Sequence, residues 1–228
     1  MRNNLLLKLT LVSLIICFKE IQIHGNVQIV FTAALLEKDY TARKAEYITS
    51  LQQLHNYGYT NPYIIESHQK TNAHSFLNDY SDTVLYTHTN DLQLRNKGVN
   101  EVRSLIKACK QWSHDDHDII VKITGRYRLI SREFLETVEN HPTVDAFVKL
   151  ASDGQVYTGC FAMRYKFFKE MLNQIDCAKM ENDMINFEQE VAKHLAKLKN
   201  QHARIMYVTE LHLYAPIWGN GTRHEVSL

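Results

Sequence analysis

The sequence predicts an α/β protein: a mostly parallel sheet flanked by helices, with a mixed C-terminal part. Two observations carry that expectation. From Val27 to Val138, short β-rich apolar runs alternate with amphipathic helical stretches, the pattern that builds a parallel sheet covered by helices. After His141-Pro142 the rhythm changes to two adjoining strands, two helices and a last strand, which adds antiparallel pairing.

The elements follow in order. Val27 to Ala33 (VQIVFTA) is β-branched and apolar, a first strand. Asp39 to Tyr57 sets Ala45, Ile48, Leu51 and Leu54 on one helical side, and Gly58 is a natural stop. Pro62 precedes a short strand at Tyr63 to Glu66, and Thr83 to Thr87 is another. Asn96 to Gln111 carries Val99, Val102, Leu105, Ile106 and Cys109 at helical spacing. Asp118 to Ile123 (DIIVKI) is a buried-type strand interrupted only by Lys122, and Ser131 caps a helix through Val138. Val144 to Leu150 and Gln155 to Met163 form a hairpin through Ser152-Asp153-Gly154. Tyr165 to Ile175 and Asp183 to Lys199 read as helices, and Ile205 to Leu213 as the final strand.

Composition narrows the function classes. Only 8 Gly and 3 Pro in 228 residues exclude collagenous and linker-rich chains. The 26 Lys and Arg nearly cancel the 25 Asp and Glu, so no basic excess points to nucleic acid. The cysteines at 17, 109, 160 and 177 are irregularly spaced, without the C-x-x-C of a zinc site. A phosphate-binding P-loop, G-x-G-x-x-G, H-E-x-x-H and G-x-S-x-G are all missing. Residues 1–25 carry Arg2 and an apolar run from Leu5 to Phe18, a signal peptide or membrane-proximal segment. The expectation is therefore one domain over 26–228 in a secreted or membrane-associated protein, with a cytoplasmic location left open. Asn220-Gly221-Thr222 is a glycosylation sequon for a chain entering a secretory pathway.

In open α/β sheets ligands bind beyond the carboxyl ends of the strands. That rule selects Thr32-Ala33-Ala34, Glu66-Ser67, Thr87-His88-Thr89 and Thr124-Gly125-Arg126-Tyr127. The last is the most informative. Lys122 and Arg126 bracket a glycine that permits a tight turn, and two cations there suit an anion such as a diphosphate. The plainer alternative has Lys122 reaching water at a sheet edge and Arg126 in a surface ion pair. Glu188 shares a helical stripe with Met184, Val191 and Leu195, which turns a carboxylate toward the core or a cleft. It is either a general base or a structural ion-pair partner. Glu181 and Asp183 are secondary candidates at a helix start, where acids cap. His114, Asp115, Asp116, His117 and Asp118 precede a strand, at the end opposite the cleft, and read as a solvated loop.

These segments together resemble a small nucleotide-sugar glycosyltransferase of the GT-A type, from about Asn26 to Leu213. IVFTA and ARKAEYITSLQQL resemble the nucleotide-binding first β-α unit, with Thr32 and Arg43 in matching places. NKGVNEVRSLIKA resembles the helix start that lies against the donor, here Lys97, Gly98 and Asn100. DIIVKITGRYRLISREFLETV resembles the strand, loop and helix that bear the D-x-D metal motif; VYTGCFAMRYKFF and NDMINFEQEVAKHL look like the acceptor-side strand and the helix with the catalytic acid.

The resemblance implies a transferase moving a sugar from a nucleotide-sugar donor to a glycan or other hydroxyl acceptor. It makes Glu188, Arg126 and Lys122 the catalytic set. Thr32, Arg43, Glu66, Lys97, Asn100, Thr124, Gly125 and Arg164 become the donor- or substrate-binding candidates. In one respect this chain departs: Thr124-Gly125-Arg126 stands where D-x-D is expected. No metal ligand is assigned, and Mn²⁺ or Mg²⁺ is left open. Lys122 and Arg126 would then neutralise the leaving diphosphate in an inverting displacement. The rival reading is a non-catalytic nucleotide- or sugar-binding protein on a degenerate transferase scaffold.

Overall fold

The computed structural model describes residues 25–37, 40–69, 75–219 and 222–228, with backbone alone for 216–219 and 222–226. The leader expected over residues 1–25 lies outside the described residues apart from Gly25, as do Asn220 and Gly221 of the sequon. Among the described residues no helix is long and apolar enough to cross a membrane.

Strand β1 (Val27–Ala33) is central. On one side it pairs in parallel with β2 (Tyr63–Glu66), which pairs in parallel with β3 (Val84–Tyr86). On the other it pairs in parallel with β4 (Ile119–Thr124). Then come β7 (Cys160–Arg164), antiparallel to β4, β6 (Ala146–Val148), antiparallel to β7, and β8 (Ile205–Tyr207), parallel to β6. The order β3-β2-β1-β4-β7-β6-β8 is the mostly parallel sheet with a mixed C-terminal side that the sequence predicts.

Alternation along the strands divides the core. Phe31, Val121 and Ile123 pack against helix α1 (Tyr40–Asn56) and helix α3 (Glu133–Asn140). Val30, Ile120 and Phe161 face helices α2 (Lys97–Cys109), α4 (Tyr165–Gln174) and α6 (Phe187–Asn200). Burying each such aliphatic or aromatic side chain contributes about 1.5–3 kcal/mol. The period of two sends Lys122 to the face of Ile120, the one that α2 covers.

Two boundaries differ from expectation. The stretch 183–199 is not one helix: α5 (Cys177–Asn182) ends, Met184 takes a φ of 54°, and Asn186 opens α6 with a capping box to Gln189. The 205–213 run likewise divides. β8 stops at Tyr207, His212 takes a φ of 52°, and the chain enters β9 (Leu213–Gly219). With β10 (Thr222–Ser227) and β5 (Arg128–Leu129), β9 forms a second sheet that closes over β4's exit.

Candidate functional site

A cavity of about 660 Å³ lies over the carboxyl ends of β1, β2 and β4, between the N-terminal ends of α2 and α6. Asn96 caps α2 through Gly98 N (3.1 Å) and reaches across with its Nδ2 to the carbonyls of Met180 (2.9 Å) and Ile185 (2.6 Å). The Glu181 carboxylate accepts from the backbone N–H groups of Arg95 and Asn96, both at 3.0 Å, and these hold its pKa below the ordinary value. Glu181 therefore ties two loops together, which is a structural task. Both helix N-termini open on the cavity with the positive ends of their dipoles, while Asn96 and Asn186 cap the first-turn N–H groups of Gly98 and Gln189.

The wall at β4 is built around Lys122. Its side chain is fully buried. Nζ donates to Glu101 Oε1 at 2.6 Å, Thr124 Oγ1 at 2.8 Å and the Thr158 carbonyl at 2.6 Å. An ammonium has three donors, and all three are committed here. Lys122 thus stands behind the wall, and the expectation that it contacts a diphosphate is corrected by this geometry. Thr32 Oγ1 also donates to Glu101 Oε1, at 3.0 Å. Thr158 donates its hydroxyl to Glu188 Oε1 at 2.6 Å, so one short network touches both cavity carboxylates, Glu101 and Glu188. Replacing such a buried ion pair by apolar residues is often neutral or stabilising by about 1–4 kcal/mol, so fold stability alone is a weak reason for it.

Arg126 and Thr124 line the cavity, while Gly125 shapes the turn between them. A Cβ at Gly125 would stand 2.6 Å from the Phe31 ring, and its N–H donates to the Thr32 carbonyl at 2.8 Å. Only glycine fits. Tyr127 follows, its ring laid over Gly159; burial, reinforced by the negative charge of Glu101, pushes its hydroxyl up to about 12.

The remaining candidates divide. Thr32, Arg43, Lys97 and Asn100 line the cavity. Arg43 Nη1 donates to the Ala34 carbonyl (3.0 Å), Lys97 Nζ to the Leu92 carbonyl (2.9 Å), and the Asn100 amide holds the backbone of Asp91. These three brace the loops at the mouth. Glu66 is fully buried away from the cavity lining. Its carboxylate accepts from the N–H groups of Leu35, His68 and Gln69; burial raises its pKa and those bonds oppose the rise. It supports the β1 loop and is no substrate contact, since local backbone donors already surround it. Arg164 is also corrected. It pairs with Ile119 at the opposite end of β4, and its guanidinium meets Asp145 (2.9 Å) and the carbonyls of His117, Pro142 and Val144.

Asp115, Asp116 and His117 are exposed in a loop at that far end, as expected, but the side chains of His114 and Asp118 on either side of them are buried. The His114 side chain is 4% exposed, 3.6 Å from Asp118, with the rings of Tyr63, Trp112 and Tyr165 edge-on around it. Glu188 is half-buried in the first turn of α6, and Met184 lies outside the helix and is exposed. Its approach to the cavity therefore comes from the helix start, not from an apolar stripe through Met184.

A divalent cation such as Mn²⁺ or Mg²⁺ takes several oxygen ligands, carboxylates foremost. The end of β4 offers a threonine hydroxyl and a guanidinium. Glu101 Oε1 is already bound by Lys122, and among the described residues no three His, Cys, Asp or Glu side chains converge. The donor set does not fit such an ion, so no chemical step is routed through one.

A mostly parallel sheet with a cavity at its strand ends and helix N-termini on the rim defines a Rossmann-like α/β protein. No family model matches the chain, and no curated protein does. Among solved structures it is similar to the mannosyltransferase PcManGT from Pyrobaculum calidifontis, solved with GDP-Man and Mn²⁺ (TM-score 0.53, 12% identity, 82% of this chain). The chain spans 56% of that protein's length. Two further likenesses are mouse xyloside xylosyltransferase 1 (TM-score 0.48, 6% identity, 81% of this chain and 85% of that one) and the Francisella tularensis 2-C-methyl-D-erythritol 4-phosphate cytidylyltransferase (0.47, 12%, 81% and 90%). What the chain shares with PcManGT at 12% identity is the fold, an α/β fold of the GT-A type.

Glu101, Thr158 and Asn186 are the site residues that sequence reasoning missed. Glu101 falls off the apolar stripe of α2 and reads as solvent-facing. The available signal was Lys122, a cation in a buried strand that requires a partner.

Proposed function

We propose that the chain transfers a sugar from a nucleotide-sugar donor to a hydroxyl acceptor. The observation that carries this reading is the placing of Arg126 and Glu188 on one cavity at the carboxyl ends of a GT-A-type sheet. Arg126 meets the donor diphosphate, assisted by the N-terminal ends of α2 and α6, which favour anions. Glu188 takes the proton from the acceptor hydroxyl. The acceptor oxygen bonds to the anomeric carbon, the bond from that carbon to the diphosphate oxygen breaks, and the electron pair leaves with the diphosphate. The fixed guanidinium of Arg126 and the helix dipoles stabilise that leaving charge, and this supports a metal-independent transfer. Residues 26–228 form the transferase unit, and the preceding segment directs it to a secretory or membrane-associated location.

A second reading, binding without turnover, is favoured by the absence of a carboxylate at the end of β4. One experiment addresses both. Nucleoside diphosphates are screened for binding, and their sugar conjugates for transfer with and without Mn²⁺, in the wild type, Glu188→Gln and Arg126→Ala. Near-wild-type turnover in both variants overturns the assignment, and binding without any turnover establishes the second reading.

A further inference from the structure

Glu101 has no task in the mechanism above, yet two close side-chain donors hold it in place on the cavity wall. Its Oε1 receives the Lys122 ammonium at 2.6 Å and the Thr32 hydroxyl at 3.0 Å. Among the described residues Oε2 has no protein donor, and the side chain is 27% exposed on the cavity it lines. A carboxylate oxygen so placed is a charged acceptor awaiting a donor. Its surroundings add none: the Thr32 hydroxyl points its proton at Oε1, and the Thr124 hydroxyl, which accepts from Lys122, donates to the same Oε1 at 3.5 Å. Oε2 can therefore take a ligand hydroxyl, while the groups bonded to Glu101 have no donor to spare for a ligand carboxylate; Arg126 on the same cavity is assigned to the diphosphate.

Lys122 explains why the arrangement is rigid. The fully buried ammonium is fixed by Glu101, Thr124 and Thr158, so Glu101 is fixed in turn. Two buried or half-buried charges in an otherwise apolar strand-helix contact give little stability of their own. They do deliver one oriented carboxylate oxygen to the cavity.

We propose that Glu101 binds the exocyclic 6-hydroxyl of the donor's sugar, with Lys122 as its positioning residue, so that the chain selects neutral hexoses over the matching uronates. The inference rests on the donor reading above. The 6-hydroxyl donates to Oε2; at that carbon a uronate presents only acceptors and is rejected by like charge and an unmade bond.

The test uses isothermal calorimetry on the full chain with UDP, GDP, UDP-glucose, GDP-mannose and UDP-glucuronate. In Glu101→Gln the amide carbonyl still accepts from Lys122, and an NH₂ donor replaces the anionic acceptor facing the cavity. The expected result is about tenfold weaker binding of the neutral sugar nucleotide, the difference between a charge-assisted and a neutral hydrogen bond. UDP-glucuronate binding should strengthen, and UDP and GDP should stay within about twofold. The double variant E101L/K122M removes both charges without orphaning either and keeps the fold testable by its melting temperature. It should lose about 10- to 100-fold in neutral sugar-nucleotide affinity and little in nucleoside diphosphate affinity. Equal losses for nucleoside diphosphate and sugar nucleotide, or no change in the neutral-to-uronate ratio, overturn the inference alone. A wild type that binds none of the five ligands overturns the donor reading and the inference with it.

Discussion

Two buried ion pairs stand at opposite ends of β4, and they differ in what surrounds them. At the amino end, Arg164 meets Asp145 and three backbone carbonyls, and the Asp145 carboxylate also accepts from the Arg204 N–H at 2.9 Å. Both partners are consumed by protein. At the carboxyl end, Lys122 is equally consumed, but its partner Glu101 opens on a cavity with one oxygen left over. The first pair clamps a loop to a sheet. The second presents a charge to a ligand. A charged residue in a buried strand thus signals a partner, and only the partner's remaining valence tells a clamp from a site.

The largest effect that tests this contrast is at Glu188. Glu188→Gln removes the proposed base and should cut kcat about 10²- to 10⁴-fold, with an unchanged melting temperature and unchanged nucleoside diphosphate affinity. A kcat close to wild type would remove Glu188 from the chemistry. At the clamp the outcome should invert. Arg164→Met leaves the half-buried Asp145 with only the Arg204 N–H and should cost about 1–3 kcal/mol of stability in urea unfolding, while folded protein binds nucleoside diphosphate as before. Reduced ligand affinity in fully folded R164M would erase the distinction between the two ends. Next comes Arg126→Ala. It should weaken nucleoside diphosphate binding about 10- to 100-fold, as expected for one charge-assisted contact, with little change in unfolding.

The smallest effect is the pH response of the amino end. Burial among Tyr63, Trp112 and Tyr165 lowers the His114 pKa, with Asp118 opposing. The folded state therefore resists the proton that the unfolded state accepts at about 6.5. The stability linked to His114 is complete above that pH and declines as the pH falls below it toward the depressed folded-state value. His194, whose pKa burial also lowers, adds in the same direction. Urea midpoints from pH 8 to 5 should fall less steeply in His114→Phe than in wild type; identical slopes would show that His114 does not titrate in this way.

The parallel half of the fold was legible because each strand is a β-branched run and each helix carries an apolar face. β1 and β2 fall where VQIVFTA and YIIE predict. The C-terminal half was less so. Met184 and His212 take left-handed backbone in stretches whose hydrophobic spacing continues across the break, and spacing does not report φ. At the site, strand-end chemistry pointed to Arg126, which lines the cavity; Glu188 lines it too, but from the first turn of α6 and not through the stripe with Met184 that singled it out. Glu66 and Arg164 stood at equally suggestive positions, but backbone donors and carbonyls distant in sequence saturate them. Glu101 was hidden for the converse reason: its role depends on Lys122, twenty-one positions on, reaching it from the next layer.

The bonds from Asn96 to Met180 and Ile185, with Glu181 returning to Arg95 and Asn96, join loops more than eighty residues apart along the chain. They set the gap between two helix ends before any ligand arrives. Binding then has little chain to immobilise on that rim, and the entropy usually lost in ordering loops is spared. In kinetic terms, the rim behaves as a fixed aperture rather than a closing jaw. Association there should follow encounter in a single phase, without a slow unimolecular step contributed by these two loops.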